Sequence, residues 1–297
     1  DIVDALTTNN LKPLRCYFQD NIKEVVINRP GEVYLEALDG EWIVKKDKKL
    51  SKTWFEGMAR IMATASSQKF NTNNPLLSFK LPEGHRVQII SGSLVSSGMA
   101  MTIRLHRNKI FSLDDYGLKS QEKEALISAV KESKTILISG GTGTGKTSFL
   151  NVLLSFIKPS ERLITIEGVP ELKSSNQNWV SLLYSENKSS SSATDVTELL
   201  NATLRMRPDR IVLGELRKEN SFTFTRAINT GHEGTIATIH SNSPYHAITA
   251  LVTNIIMNGD AESSSMPILV DQLTQDIYGV VQLKREGKEM KGYFQTL

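Results

Sequence analysis

The stretch Thr135-Ile136-Leu137-Ile138-Ser139-Gly140-Gly141-Thr142-Gly143-Thr144-Gly145-Lys146-Thr147-Ser148-Phe149-Leu150 decides the fold. Its first five residues read as a short buried strand, and the amphipathic run from Ser148 to Leu154 reads as a helix. Between them every position of G-x-x-x-x-G-K-[ST] is met, in the strand–loop–helix setting that this pattern requires. The glycines let the backbone turn its N–H groups toward one point, and the helix aims its positive end at the same place. Lys146 supplies a mobile charge for outer phosphates, and the Thr147 hydroxyl is placed to ligate Mg²⁺. Gly140, Gly141, Thr142, Gly143, Thr144, Gly145, Lys146, Thr147 and Ser148 are therefore the candidate contacts of a nucleoside triphosphate, with ATP and Mg²⁺ as the expected cofactors.

Working outward, 297 residues with 39% hydrophobic and 23% charged side chains suit two soluble globular domains. A net charge of +3 does not call for nucleic acid, and Lys45-Lys46-Asp47-Lys48-Lys49 reads as a solvated turn. The single cysteine, Cys16, excludes an internal disulfide and a cysteine-built zinc site, and an inert or buried thiol is expected. No stretch reaches the length of a membrane span. The start, Asp1-Ile2-Val3-Asp4-Ala5, lacks a signal peptide's basic and apolar regions, so cytoplasmic residence is the default expectation.

The first third reads as mixed α+β. A short helix is expected over residues 11–19 and strands over 24–28, 33–36 and 42–44, with Asp39-Gly40 as a hairpin turn. Ser51 can cap a helix over 53–62, and further strands fall at 86–90 and 100–105. Residues 106–120 carry no firm period and read as a linker. From 121 onward helices alternate with apolar strands, the pattern of a largely parallel sheet covered by helices. Ser185 to Ser192 reads as a mobile surface loop, 266–275 as a helix and 284–288 as the turn of a last hairpin. The expected division is an α+β N-terminal domain at 1–105, a linker at 106–120 and an α/β nucleotide-binding domain at 121–297.

Three further segments bear on the chemistry. Arg162-Leu163-Ile164-Thr165-Ile166-Glu167 and Arg210-Ile211-Val212-Leu213-Gly214-Glu215 are strands ending in carboxylates, and Gly231-His232-Glu233-Gly234-Thr235 precedes the strand that ends at His240. In open α/β sheets ligands sit beyond the carboxyl ends of strands, so Glu167, Glu215 and His240 are expected to converge on the phosphates. Glu215 is best placed to orient a water or, through water, hold the metal; Glu167 shares or replaces that role, as catalytic group or metal ligand. His232 and His240 are of the type that senses a γ-phosphate. The plain alternatives are a glutamate that only caps a neighbouring helix and histidines that are only hydrogen-bonded structure.

These segments together resemble the secretion ATPase superfamily. Residues 140–147 are similar to its Walker A motif, 164–172 to its Asp box, 204–217 to its Walker B motif and 231–235 to its His box. Glu24-Val25-Val26-Ile27-Asn28-Arg29-Pro30-Gly31 and Leu81-Pro82-Glu83-Gly84-His85-Arg86-Val87 resemble the type IV secretion branch, the family of the eleventh VirB component. The resemblance implies an α/β RecA-like P-loop NTPase domain behind the α+β domain. It implies a Mg²⁺-dependent ATPase assembled as a homo-hexamer, peripheral on the cytoplasmic face of the inner membrane, with each nucleotide between the two domains of one subunit. Other secretion ATPases and inner-membrane components are the implied partners, without sequence-specific nucleic-acid contacts. It maps nucleotide-directed arginines onto Arg86 and Arg104, with ordinary strand-face residues as the lesser alternative, and basic positions near the Walker B strand onto Arg205 and Arg207. One departure stands out: the family's Ile-Glu-Asp has Gly168 in place of Asp. Besides a secretion motor, a kinase, a nucleic-acid motor and an ATP-gated scaffold with little turnover remain as readings.

Overall fold

The computed structural model describes residues 9–81, 83–106, 111–184, 195–287 and 289–297; the serine-rich expectation at 185–192 lies outside the described residues. Two compact units divide the chain, Asp1–Lys109 and Ile110–Leu297.

In the first unit the described elements are α1 (Lys12–Arg15), β1 (Ile22–Ile27), β2 (Glu32–Ala37), β3 (Trp42–Lys46), α2 (Lys52–Ala65), β4 (Leu76–Lys80), β5 (Arg86–Ser91) and β6 (Met99–Arg104). All strand pairs are antiparallel, in the order β3-β2-β1-β6-β5-β4. Alternate residues Val25, Ile27, Val87, Ile89, Met101 and Ile103 are buried, as expected of a sheet with one covered face. Phe55, Met58, Ala59, Met62 and Ala63 of α2, spaced at three and four, join that core. Ser51 Oγ accepts from Trp54 N at 3.2 Å, which caps the helix as its sequence predicts. β4 has no strong signal: it is a short edge strand entered from Pro75. Lys45 and Lys46 end β3 rather than lying in the turn, and Cys16, expected to be inert or buried, is exposed.

The second unit begins with a 3₁₀ turn, Leu113–Tyr116, followed by α3 (Ser120–Lys131), β7 (Ile136–Gly140) and α4 (Lys146–Leu154). Then come β8 (Leu163–Glu167), β9 (Trp179–Leu183), α5 (Val196–Leu204), β10 (Arg210–Leu213), α6 (Lys218–Asn229) and β11 (Ile236–Ile239). The chain closes with α7 (Pro244–Asn258), α8 (Met266–Asp276), β12 (Gly279–Glu286) and β13 (Glu289–Thr296). The sheet order is β13-β12-β7-β11-β10-β8-β9, parallel throughout except for the β12–β13 hairpin. That hairpin keeps residues 284–286 in the strand, so its turn is shorter than expected.

β7, β8, β10 and β11 are buried along their whole length, which is why they read as unbroken apolar runs. Ile136 and Ile138 face a layer containing α3 and α4, whereas Leu137 faces a layer containing α5 to α8. Leu113, Tyr116 and Leu118, from the segment read as linker, are buried in the first of these layers. The Tyr116 ring meets Phe149 edge-on at 4.7 Å, and its hydroxyl lies 3.5 Å from Gly145 O.

The amino edge of this sheet is fastened by Arg210, whose side chain is 0% exposed. Its Nε sits 2.6 Å from Glu161 Oε2, Nη1 donates to Gly234 O at 3.3 Å, and Nη2 donates to Val130 O. Gly234 comes so close to Ser133 that a Cβ would meet its backbone at 3.0 Å. Removing one partner of a buried ion pair strands the other, so Arg210→Ala is expected to cost about 3–5 kcal/mol in denaturant unfolding, and Arg210→Met less.

Candidate nucleotide site

The phosphate loop follows β7 and ends at Gly145, the N-cap of α4. Gly143 (φ 74°) and Gly145 (φ 83°) occupy the left-handed region that side chains avoid. At Gly140 space rather than φ is decisive: a Cβ would lie 2.5 Å from Thr144 Oγ1 and 2.9 Å from Leu283 O. No side chain caps α4, which leaves its first-turn N–H groups directed at the loop, a donor set that fits a polyphosphate. Among the described residues no three His, Cys, Asp or Glu side chains form a metal cage.

Lys146 is buried and donates to Gly140 O and Gly141 O, both at 2.9 Å. Its Nζ is also 3.4 Å from His240 Nδ1, and His240 Nε2 is 2.7 Å from Glu215 Oε1. The tautomer with its proton on Nε2 satisfies both contacts, donating to the carboxylate and accepting from the ammonium. Glu215 Oε2 is in turn held by Arg217 through Nε and Nη2, both at 2.7 Å. Lys146, His240, Glu215 and Arg217 thus form one continuous chain of contacts from three neighbouring strand ends.

The hydrogen bond from His240, aided by Arg217 and opposed by burial, holds the Glu215 carboxyl at about 2, below its ordinary 4.5. A carboxylate that acidic orients a water or a hydrated cation well and takes a proton poorly.

Glu167 lies one strand further on and is only 3% exposed. Its Oε2 accepts from Glu171 N at 2.8 Å and Leu172 N at 3.0 Å, so the carboxylate closes its own turn. Asn151 of α4 bonds the same segment, donating to Glu171 O and accepting from Lys173 N. Gly214 makes room for this packing, since a Cβ there would stand 3.1 Å from Glu167 Cβ. These contacts tie Glu167 to the non-helical turn that follows its own strand, whereas the alternative weighed for it was the cap of a neighbouring helix.

Within the subunit, His232, Arg205 and Arg207 do not join this contact chain. All three precede their strands and lie at the amino edge, opposite the phosphate loop. His232 is separated from His240 by the whole of β11, about 13 Å of strand. Arg207 adopts a left-handed φ of 54°. In the first unit, Arg86 and Arg104 are direct cross-strand partners, and Arg104 is also opposite Glu24. Sequence reasoning passed over Tyr116, Asn151, Arg217 as the clamp on Glu215, and Asn220; the last three had only ordinary polar residues near motifs as a signal.

The Type II/IV secretion system protein family profile matches residues 7–289. This chain belongs to that family. Within it, the chain is 35% identical to the type IV secretion system protein VirB11 of Bartonella quintana, covering 96% of this chain and 91% of that one. Among solved structures, the VirB11 ATPase of the Brucella suis type IV secretion system, crystallised with sulphate, is 28% identical. The match covers 99% of this chain and 95% of that chain with a TM-score of 0.54. The pilus retraction motor PilT with bound ADP, at 18% identity and a TM-score of 0.68 over 96% of this chain and 82% of that one, shares the fold. The family fold is an N-terminal domain followed by a RecA-like α/β domain, as the sequence leads one to expect. No described helix is long and apolar enough to cross a membrane.

Two outcomes are expected at this site. Because the folded value of Glu215 is depressed, its stabilisation is complete above 4.5 and is lost as pH falls toward about 2. Glu215→Gln should therefore flatten the dependence of Tm on pH in the acidic range, below the ordinary carboxyl value. Glu167→Ala leaves two backbone donors unsatisfied and is expected to destabilise the protein by about 3 kcal/mol, read as a fall in Tm.

Proposed function

We propose that this chain is a Mg²⁺-dependent ATPase that energises type IV secretion as a homo-hexamer, working peripherally at the cytoplasmic face of the inner membrane beside other secretion components. The observation that carries this reading is the contact chain from Lys146 through His240 to Glu215, set beside a helix N-terminus with no side-chain cap. Backbone N–H groups of the loop and Lys146 bind the phosphates; Thr147 offers its hydroxyl to the metal. Bound Mg²⁺ neutralises charge developing on the phosphate oxygens. Glu215 orients the attacking water, and His240, touching both Glu215 and Lys146, registers whether the ammonium has moved to the outer phosphate. For Arg86 and Arg104, cross-strand partners on β5 and β6, we propose phosphate binding, the role that the family resemblance maps onto them.

An ATP-gated scaffold with little turnover stands beside this reading, supported by Gly168 in place of a carboxylate and by the Glu167 oxygen committed to its turn. Hydrolysis per protomer, measured with Mg²⁺ over a range of protein concentrations, separates the two. A motor assembled from subunits gives a rate that climbs with assembly, and Glu215→Gln lowers it by about a hundredfold while nucleotide binding persists. Negligible turnover at every concentration would favour the scaffold.

A further inference from the structure

The turn carrying Glu215 is more heavily built than a strand end requires. Leu216 N donates to Thr238 O at 2.7 Å and Thr238 Oγ1 donates to Gly214 O at 2.6 Å, which fixes the turn to β11. From the other side, the Asn220 side chain spans it: Oδ1 accepts from Arg217 N at 2.8 Å, and Nδ2 donates to Glu215 O at 3.0 Å. Asn220 is 1% exposed, and a buried amide in a first helical turn is costly unless both ends are used as they are here. Ser221 Oγ adds a bond to Arg217 O at 2.6 Å.

Arg217 completes the arrangement. Its guanidinium directs two donors at one oxygen, Glu215 Oε2, although its own side chain is 43% exposed. A half-exposed ion pair of neighbours contributes little to stability. Its effect is directional: with Oε2 engaged by Arg217, Oε1 is presented at His240.

We propose that Arg217 and Asn220 are positioning residues for Glu215, Asn220 setting the turn and Arg217 fixing the carboxylate so that one oxygen faces His240 and the phosphate loop. The inference rests on the reading of Glu215 as the group that orients water. It assigns Arg217 no contact with the nucleotide.

The test uses the full chain and two readouts. The first is the split between kcat and the affinity for a non-hydrolysable ATP analogue. Arg217→Gln should lower kcat by about tenfold or more and leave that affinity within about twofold, and Arg217→Lys should recover part of the rate. The second is amide hydrogen exchange of the nucleotide-free protein: Asn220→Asp keeps the acceptor for Arg217 N and loses the donor to Glu215 O, so exchange over residues 214–217 should speed up while Tm changes little. Normal kcat in Arg217→Gln overturns the proposal. So does a loss that falls on affinity alone, since Arg217 would then bind nucleotide directly. Should Asn220→Asp melt early, Asn220→Ser in the same exchange experiment takes its place, and unchanged exchange there overturns the role of Asn220. Glu215→Gln is the control: full turnover in it removes the reading of Glu215 as the water-orienting group and this inference together, whereas an inactive Glu215→Gln beside a normal Arg217→Gln removes only the inference.

Discussion

Parallel pairing of β7, β11, β10 and β8 is the constraint on which the site depends. Because these strands run the same way, everything that follows them emerges at one edge and everything that precedes them at the other. Lys146, Glu215 and His240 are far apart in sequence yet meet within hydrogen-bonding reach because each follows a neighbouring strand by only a few residues. The strands in turn run parallel because helices cover both faces, and their unbroken burial leaves no solvent face to polarise the pattern.

The same constraint marks where sequence reading succeeds and where it stops. The glycine loop is legible because its residues are demanded by backbone conformation and close approach, which few other sequences satisfy. The strand ends at Glu215 and His240 are legible from periodicity. His232, Arg205 and Arg207 stand close to the same strands in sequence, and only strand direction, absent from a linear motif, places them at the far edge. β4 and β9, short strands at sheet edges, carry too little burial to leave a period. Asn220 was illegible for a different reason: its value lies in two bonds to backbone atoms, and a backbone atom leaves no trace in residue identity.

The two strand-terminal glutamates show how environment divides chemically identical groups. Glu167 is closed in by its own turn and spends an oxygen on two backbone donors. The Glu215 carboxylate is held by two side chains, a histidine and an arginine, both partly exposed. Side-chain partners can rotate away; backbone partners cannot without unfolding the turn. That difference, more than distance from the loop, separates a group available to a ligand from one committed to the fold.

Arg210 has a mechanical consequence. By joining Glu161, Gly234 and Val130 from inside the protein, it makes the amino edge of the sheet behave as a clamped end. β10 and β11 are four residues each, so a displacement begun at the phosphate loop meets that clamp after only about 13 Å. The turn that carries Glu215 thus stands a single short strand away from a fixed anchor, and its place is set by the fold before any ligand arrives.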